Sequence, residues 1–202
     1  MMADLFKEKS KDWDANERVI LLSKAVGSSI VEHVPLNDTM TVMDFGAGTG
    51  LISSHVAPLV KKIIAVDVSE SMLNNLAAKP ELKEKVLIAC QDILTTPINE
   101  KFDLIMSAMA MHHVDDTPRL IETFAHHLKP GALIALVDLD SENGSFHPPG
   151  IEGVFHFGFD RNELQAILED AGFADVHFRT AHTVQREAKN FTVFLVTARK
   201  KQ

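Results

Sequence analysis

The chain has 202 residues, 46% of them hydrophobic and 24% charged, the profile of one globular unit of ordinary size. Its formal net charge of −8 disfavours a polyanionic partner, so no nucleic acid is expected. No apolar run is long enough to span a bilayer, no secretory core stands at the N-terminus, and the one cysteine, Cys90, excludes an internal disulfide framework; a cytoplasmic location with no membrane partner is expected.

Residues 1–34 read as an N-terminal helical cap. Its first 13 residues are polar with scattered Leu5, Phe6 and Trp13, either a frayed end or a flap over a ligand. Asp14 and Glu17 have the spacing of a capping box. Val19, Leu22, Val26, Ile30 and Val34 then recur at helical spacing, and Pro35, Asn37 and Asp38 close the segment.

Val42 and Met43 end a strand-like run that leads into Asp44-Phe45-Gly46-Ala47-Gly48-Thr49-Gly50. Glycines let a chain turn tightly and approach a ligand, and the helix predicted over Ile52–Val60 offers unpaired N–H groups. The dinucleotide fingerprint needs a glycine at the sixth position, where Leu51 stands. Lys62–Val68 reads as a buried parallel strand with Asp67 at its tip, placed to take ribose hydroxyls, and Ser69 caps a helix over Glu70–Ala78.

Val86–Ala89 is a short strand followed by Asp92 and Ile93, and Phe102–Ala108 is a fourth strand. A turn carrying His112 and His113 leads to a helix over Pro118–Leu128, which Lys129-Pro130-Gly131 stops before a fifth strand, Ala132–Leu139. The alternation predicts a parallel sheet with right-handed crossovers. Residues 141–159 break it with glycine, proline, phenylalanine and histidine, as a substrate-side loop or as aromatics folded into the core. Asp160 and Glu163 cap another helix, which Gly172 ends. Val176–Val184 and Phe191–Ala198, joined by a turn over Gln185–Asn190, form an antiparallel hairpin whose second strand is expected beside the fifth.

The glycine stretch with Asp67 resembles motif I of the class I S-adenosylmethionine (SAM) methyltransferases. Phe102–Ala108 resembles their motif IV, and the general pattern is similar to the ubiquinone/menaquinone-biosynthesis-like branch, which mostly modifies small molecules. The resemblance runs from about Met40 to the end and implies an α/β fold: a Rossmann-like, doubly wound, seven-stranded, mostly parallel sheet with an antiparallel C-terminal strand, in a single domain over 1–202.

It also implies a site. Gly46, Ala47, Gly48 and Gly50 approach the methionine part of SAM, with Asp44 beneath them. Asp67 takes the ribose, Val68 and Met72 flank the adenine (Met72 being equally readable as core), and Asp92 and Ile93 hold its far edge. Ser107 or Ala108 offers a main-chain carbonyl. The reaction implied is in-line methyl transfer to a small-molecule acceptor by a monomer or homodimer, with no metal. His112 and His113 are the candidate bases, and His147 and His156 are able to join them. Two other readings stand beside it: a non-catalytic SAM-binding regulator or scaffold, and a nicotinamide-dependent oxidoreductase, against which Leu51 and the terminal hairpin both count.

Overall fold

The computed structural model describes residues 4–148, 150–186 and 189–202. Pro149 of the expected loop and positions 187 and 188 of the expected hairpin turn lie outside the described residues, as do the first three. Seven strands form one sheet in the order β3-β2-β1-β4-β5-β7-β6. They are β1 (Thr41–Phe45), β2 (Lys62–Asp67), β3 (Val86–Cys90), β4 (Phe102–Ala108), β5 (Leu128–Leu139), β6 (Phe173–Arg186) and β7 (Lys189–Lys200). The first five pair in parallel. β7 lies antiparallel between β5 and β6, with Leu136 opposite Val196, as the sequence led us to expect.

The central strands are apolar on both faces because helices cover both. One core layer joins Val26 and Ile30 of α1 (Glu17–His33), Val56 of α2 (Leu51–Val56) and Leu73 and Leu76 of α3 (Glu70–Ala77) to Val42, Ile63 and Leu104 of the sheet. The other joins Leu120 and Phe124 of α4 (Thr117–His127) and Leu164 and Leu168 of α5 (Arg161–Asp170) to Met43, Ile105 and Ile134. Each such side chain contributes about 1.5–3 kcal/mol on burial. No helix among the described residues is long and apolar enough to cross a membrane.

Ser69 caps α3 by accepting from the Met72 N–H, and Asp160 caps α5, as their spacing predicts. Three local expectations are corrected. The cap of α1 is Asn16, whose side chain accepts from the Arg18 N–H, because Asp14 is taken up elsewhere by Thr49 and Lys79. β5 starts at Leu128 and runs through Pro130, which has no N–H to give a ladder; the pairing with β4 shifts register there, between Phe102 and Leu104. The final hairpin is paired further toward its tip than expected, with Gln185 opposite Asn190 and Arg186 opposite Lys189.

Parallel pairing puts the carboxyl ends of β1, β2, β3 and β4 on one rim. There Gly46 turns with φ of +69°, and a Cβ on it would lie 2.2 Å from the Ala110 Cβ, in the turn after β4. The Gly46→Ala variant is therefore expected to lose at least about 2 kcal/mol in urea unfolding, from strain and overlap together. Combining it with Ala110→Gly recovers part of the loss by removing the overlap.

Candidate functional site

The glycine turn is held from beneath by the neighbouring strand. The Gly46 and Ala47 N–H groups donate to the Val66 carbonyl at 2.8 and 3.1 Å. Asp67 then bridges two segments: its Oδ2 accepts from the Gly48 N–H at 2.8 Å and its Oδ1 from the Ser69 N–H at 2.9 Å. Each oxygen keeps a lone pair for a further donor. Burial pushes the Asp67 pKa up, against the pull of those N–H groups. Asp44, fully enclosed under the turn, accepts the Ser53 hydroxyl at 2.6 Å and so ties β1 to α2. Burial, with the nearby Asp67 charge adding to it, raises the Asp44 pKa to about 7.

Two observations test whether a nucleoside fits here. Gly48 has φ of +54° and a Cβ built on it meets nothing within 4 Å, so its outer face is open. The Ser107 hydroxyl, near the end of β4, is buried without a partner. Around them Val68 is 66% exposed and Met72 is buried. Asp92 accepts the Leu94 N–H on Oδ1 at 2.9 Å, and its Oδ2 has only a long contact with the Thr95 hydroxyl at 3.4 Å. The Ile93 side chain packs in the second core layer, which leaves its main chain at the rim. Asp44, Gly46, Ala47, Gly48, Gly50, Asp67, Val68, Asp92 and Ser107 thus gather at the carboxyl ends of four adjacent strands, the place where open α/β sheets bind ligands.

On the other side of the turn, Met109 adopts a left-handed φ of 56°, and its N–H donates to Val137. This directs Ala110 onto Gly46 and starts the 3₁₀ turn Met111–His113. His112 is 2% exposed and faces Asp138, which is 0% exposed. The His112 Nδ1 lies 2.7 Å from Asp138 Oδ1, and the His112 backbone N–H donates to Oδ2 at 3.2 Å. The proton therefore sits on Nδ1, and Nε2 is the basic nitrogen.

His113 donates from Nδ1 to the Gly153 carbonyl at 2.5 Å. Burial first, and then the neighbouring His112, push its pKa down to about 4. The His147 ring centroid lies 5.1 Å from that of His112, and its Nε2 is buried without a partner. Its pKa is also lowered to about 4, by burial first and then by His112, Arg186 and Lys9. His156 stands apart from the group: its Nε2 is 2.9 Å from the Val114 carbonyl and 3.0 Å from that of Asp115, fastening the loop to the turn. Among the described residues no three His, Cys, Asp or Glu side chains are grouped as metal ligands would be.

The segment before α1 lies across this rim. Asp4 accepts the Ser71 N–H and hydroxyl at 3.1 and 2.7 Å, and Phe6 meets the His113 ring edge-on at 5.2 Å. Asp14 accepts the Thr49 hydroxyl at 2.5 Å and pairs with Lys79 at 2.8 Å. These contacts order the segment from Asp4 onward, which the frayed-end reading did not expect. The aromatics of the 141–159 loop divide: Phe146 and Phe159 are core, while Phe155 and Phe157 are exposed. A groove lined by His33, Pro35, Leu133 and Arg199 opens at the opposite rim and holds none of these residues. Asp138 was missed from sequence, although an acid inside the apolar run Ala132–Leu139 is itself a signal.

A family model for the methyltransferase domain matches residues 22–178. An uncharacterized methyltransferase of Schizosaccharomyces pombe is 33% identical over 156 residues, covering 67% of this chain and 54% of that protein. The mitochondrial arginine-hydroxylase NDUFAF5 of Rattus norvegicus is 31% identical over 131 residues, covering 61% of this chain and 38% of that protein. The chain thus spans about half or less of the length of these relatives. Phosphoethanolamine N-methyltransferase 2 of Haemonchus contortus, solved with phosphomonomethylethanolamine and S-adenosylhomocysteine, has the same fold. Its TM-score is 0.73 at 15% identity, covering all of this chain and 61% of that one. With most of its length matched by the family model, this chain belongs to the methyltransferase domain family.

Proposed function

We propose that the protein is a SAM-dependent methyltransferase acting on a small-molecule acceptor, with His112 as the group that takes the acceptor's proton. The buried His112–Asp138 pair, set on the turn that packs against the glycine loop, carries this reading. Gly46, Gly48, Gly50 and Asp67 are the residues to hold SAM, Asp67 through the lone pairs that its backbone donors leave. Bound there, SAM supplies a methyl group on a positively charged sulfur, open to in-line displacement.

The chain's own contribution is position, dryness and a place for one proton. His112 receives that proton at Nε2, while Asp138 holds Nδ1–H and stabilises the resulting imidazolium. Phe6, His113 and the loop residue Gly153 close over the turn and exclude water. Exposed Phe155, Phe157 and Leu5 give the mouth an apolar lip suited to a small organic acceptor, and the net charge of −8 speaks against a nucleic acid. The similarity to a protein named as an arginine-hydroxylase makes a protein side chain the acceptor to include as a comparison.

The test is transfer of labelled methyl from SAM to a metabolite extract and, in parallel, to extract protein. Label in small molecules is the expected result. SAM binding without transfer to either fraction would instead identify a non-catalytic SAM-binding protein. Asp67→Ala is expected to weaken SAM binding at least about tenfold by calorimetry, the loss of charge-assisted hydrogen bonds to the ribose.

His112→Gln should lower kcat about a hundredfold or more with SAM affinity kept. Asp138→Asn should lower kcat as well and shift its pH profile, because the Nδ1 proton loses its charged acceptor. Equal kcat in both variants and in wild type would remove the pair from the mechanism.

His113 and His147 also give a pH signature. Their pKa values lie near 4 when folded and near 6.5 when unfolded, so between those values the unfolded chain binds protons that the folded chain refuses. Their contribution to stability is complete above about pH 6.5 and is lost as pH falls toward 4. Asp44, with its raised pKa, works in the opposite direction over this range. Urea unfolding of His113→Asn/His147→Asn is therefore expected to lose less stability than wild type between pH 7 and pH 4, with the Asp44 effect common to both.

A further inference from the structure

Beyond the imidazoles, the wall of the mouth carries a cation that has no ion-pair partner among the described residues. Arg186, at the end of β6, lies with its guanidinium carbon 4.0 Å over the Phe146 ring centroid and donates from Nη1 to the Phe146 carbonyl. Its Nε is buried and has no hydrogen-bond partner, and among the described residues Arg186 forms no ion pair. His147 follows Phe146 in the chain, with the two ring centroids 5.0 Å apart, and its Nε2 is also buried and unpartnered. Two neighbouring groups with nitrogen donors or acceptors enclosed and unmet are costly to keep unless something fills them.

Cations outnumber anions among the charges around them, Asp138 being the anion that acts on His147. Arg18, at the start of α1, is close enough to depress the Arg186 pKa further after burial has done so, and Lys9 and Arg186 both depress that of His147. Lys9 reaches over the Phe6 ring at 5.2 Å, on the far side of the histidine cluster. The loop's own carboxylate, Glu142, gives its Oε2 to the Ser145 and Phe146 N–H groups at 2.7 and 3.2 Å, while its Oε1 is buried without a partner. A local cationic field at the mouth of a chain with net charge −8 selects for an anion.

We infer that the methyl acceptor carries a carboxylate or phosphate, apart from the atom that is methylated, and that Arg186 and His147 bind this group with Lys9 and Arg18 flanking it. The geometry suits a planar guanidinium held flat by an aromatic face, its remaining N–H edge turned to an oxyanion. The identification of the anion as the acceptor's rests on the methyltransferase reading; the anion site itself does not.

The test uses the full chain without SAM. Inorganic phosphate and succinate are titrated separately at constant ionic strength, and the His147 Cε1–H resonance is followed by NMR. Saturable movement of that resonance by one of the two, together with a rise in the His147 pKa, is expected, and the anion that acts names the class. Arg186→Gln should bind it about tenfold more weakly and Arg186→Lys should fall between, whereas Lys11→Gln, at an exposed cation, should bind as wild type does. No movement with either anion, or Arg186→Gln binding like wild type, overturns the site. SAM is titrated into the wild-type chain in parallel, so that a failure to bind SAM removes the methyltransferase reading while leaving the anion result to stand by itself.

Discussion

The carboxylate of Asp67 is the joint on which the site turns. Two backbone N–H groups from segments 21 residues apart, Gly48 and Ser69, converge on its two oxygens. One belongs to the turn after β1, the other to the cap of α3, so a single side chain fixes the relative height of the two loops that meet at this rim. A neutral isostere keeps the outline but weakens both bonds, since hydrogen bonds to an ionised acceptor are roughly twice as strong. Because the group is largely buried, its charge is costly in isolation, and the N–H donors that tie down the loops are the same ones that make the charge tolerable.

The histidine turn is attached to this frame by contact rather than by charge. Ala110 touches Gly46, and the left-handed residue Met109 aims the chain so that His112 arrives at Asp138 three residues later. Strain at one residue is acceptable where the surroundings over-determine it, and here a β5 carbonyl, a β5 carboxylate and the glycine loop all do so. The glycine loop and the histidine turn are consequently one rigid construction across β1, β4 and β5. A change at either end is transmitted through packed atoms over a short distance.

Much of the frame could be read from sequence because it is written in local chemistry. Buried parallel strands are continuous apolar runs, helix caps are short polar spacings, and a hairpin too short to cross over must be antiparallel. What escaped reading depends on distant partners. Asp14 has the spacing of a cap, but its oxygens meet Thr49 and Lys79, which no local rule supplies. Asp138 sits in an apolar run, yet that it faces His112 follows only from the parallel pairing of β4 with β5. The 141–159 loop has no periodicity to separate Phe146 and Phe159, which are core, from Phe155 and Phe157, which are not. Arg186 looked like part of a polar turn, and its position over Phe146 requires knowing where that loop folds.

Closure of the mouth has a scale that these contacts set. His112 is nearly inaccessible, and Phe6 of the N-terminal segment packs on its neighbour His113. The bonds that hold that segment are few and partly exposed: Asp4 to Ser71, the Asn75 side-chain amide to the Ser10 carbonyl, and Asp14 to Thr49 and Lys79. Ion pairs of this kind contribute about 0–1 kcal/mol and single hydrogen bonds about 1 kcal/mol net. Set against about 1–2 kcal/mol of backbone entropy for each residue ordered, these bonds hold the segment only lightly. The latches also land beside the groups that Asp67 holds, Thr49 next to Gly48 and Ser71 two residues after Ser69. The N-terminal segment is thus fastened to the same two loops that the Asp67 carboxylate ties together, so a shift of either loop moves a latch point with it.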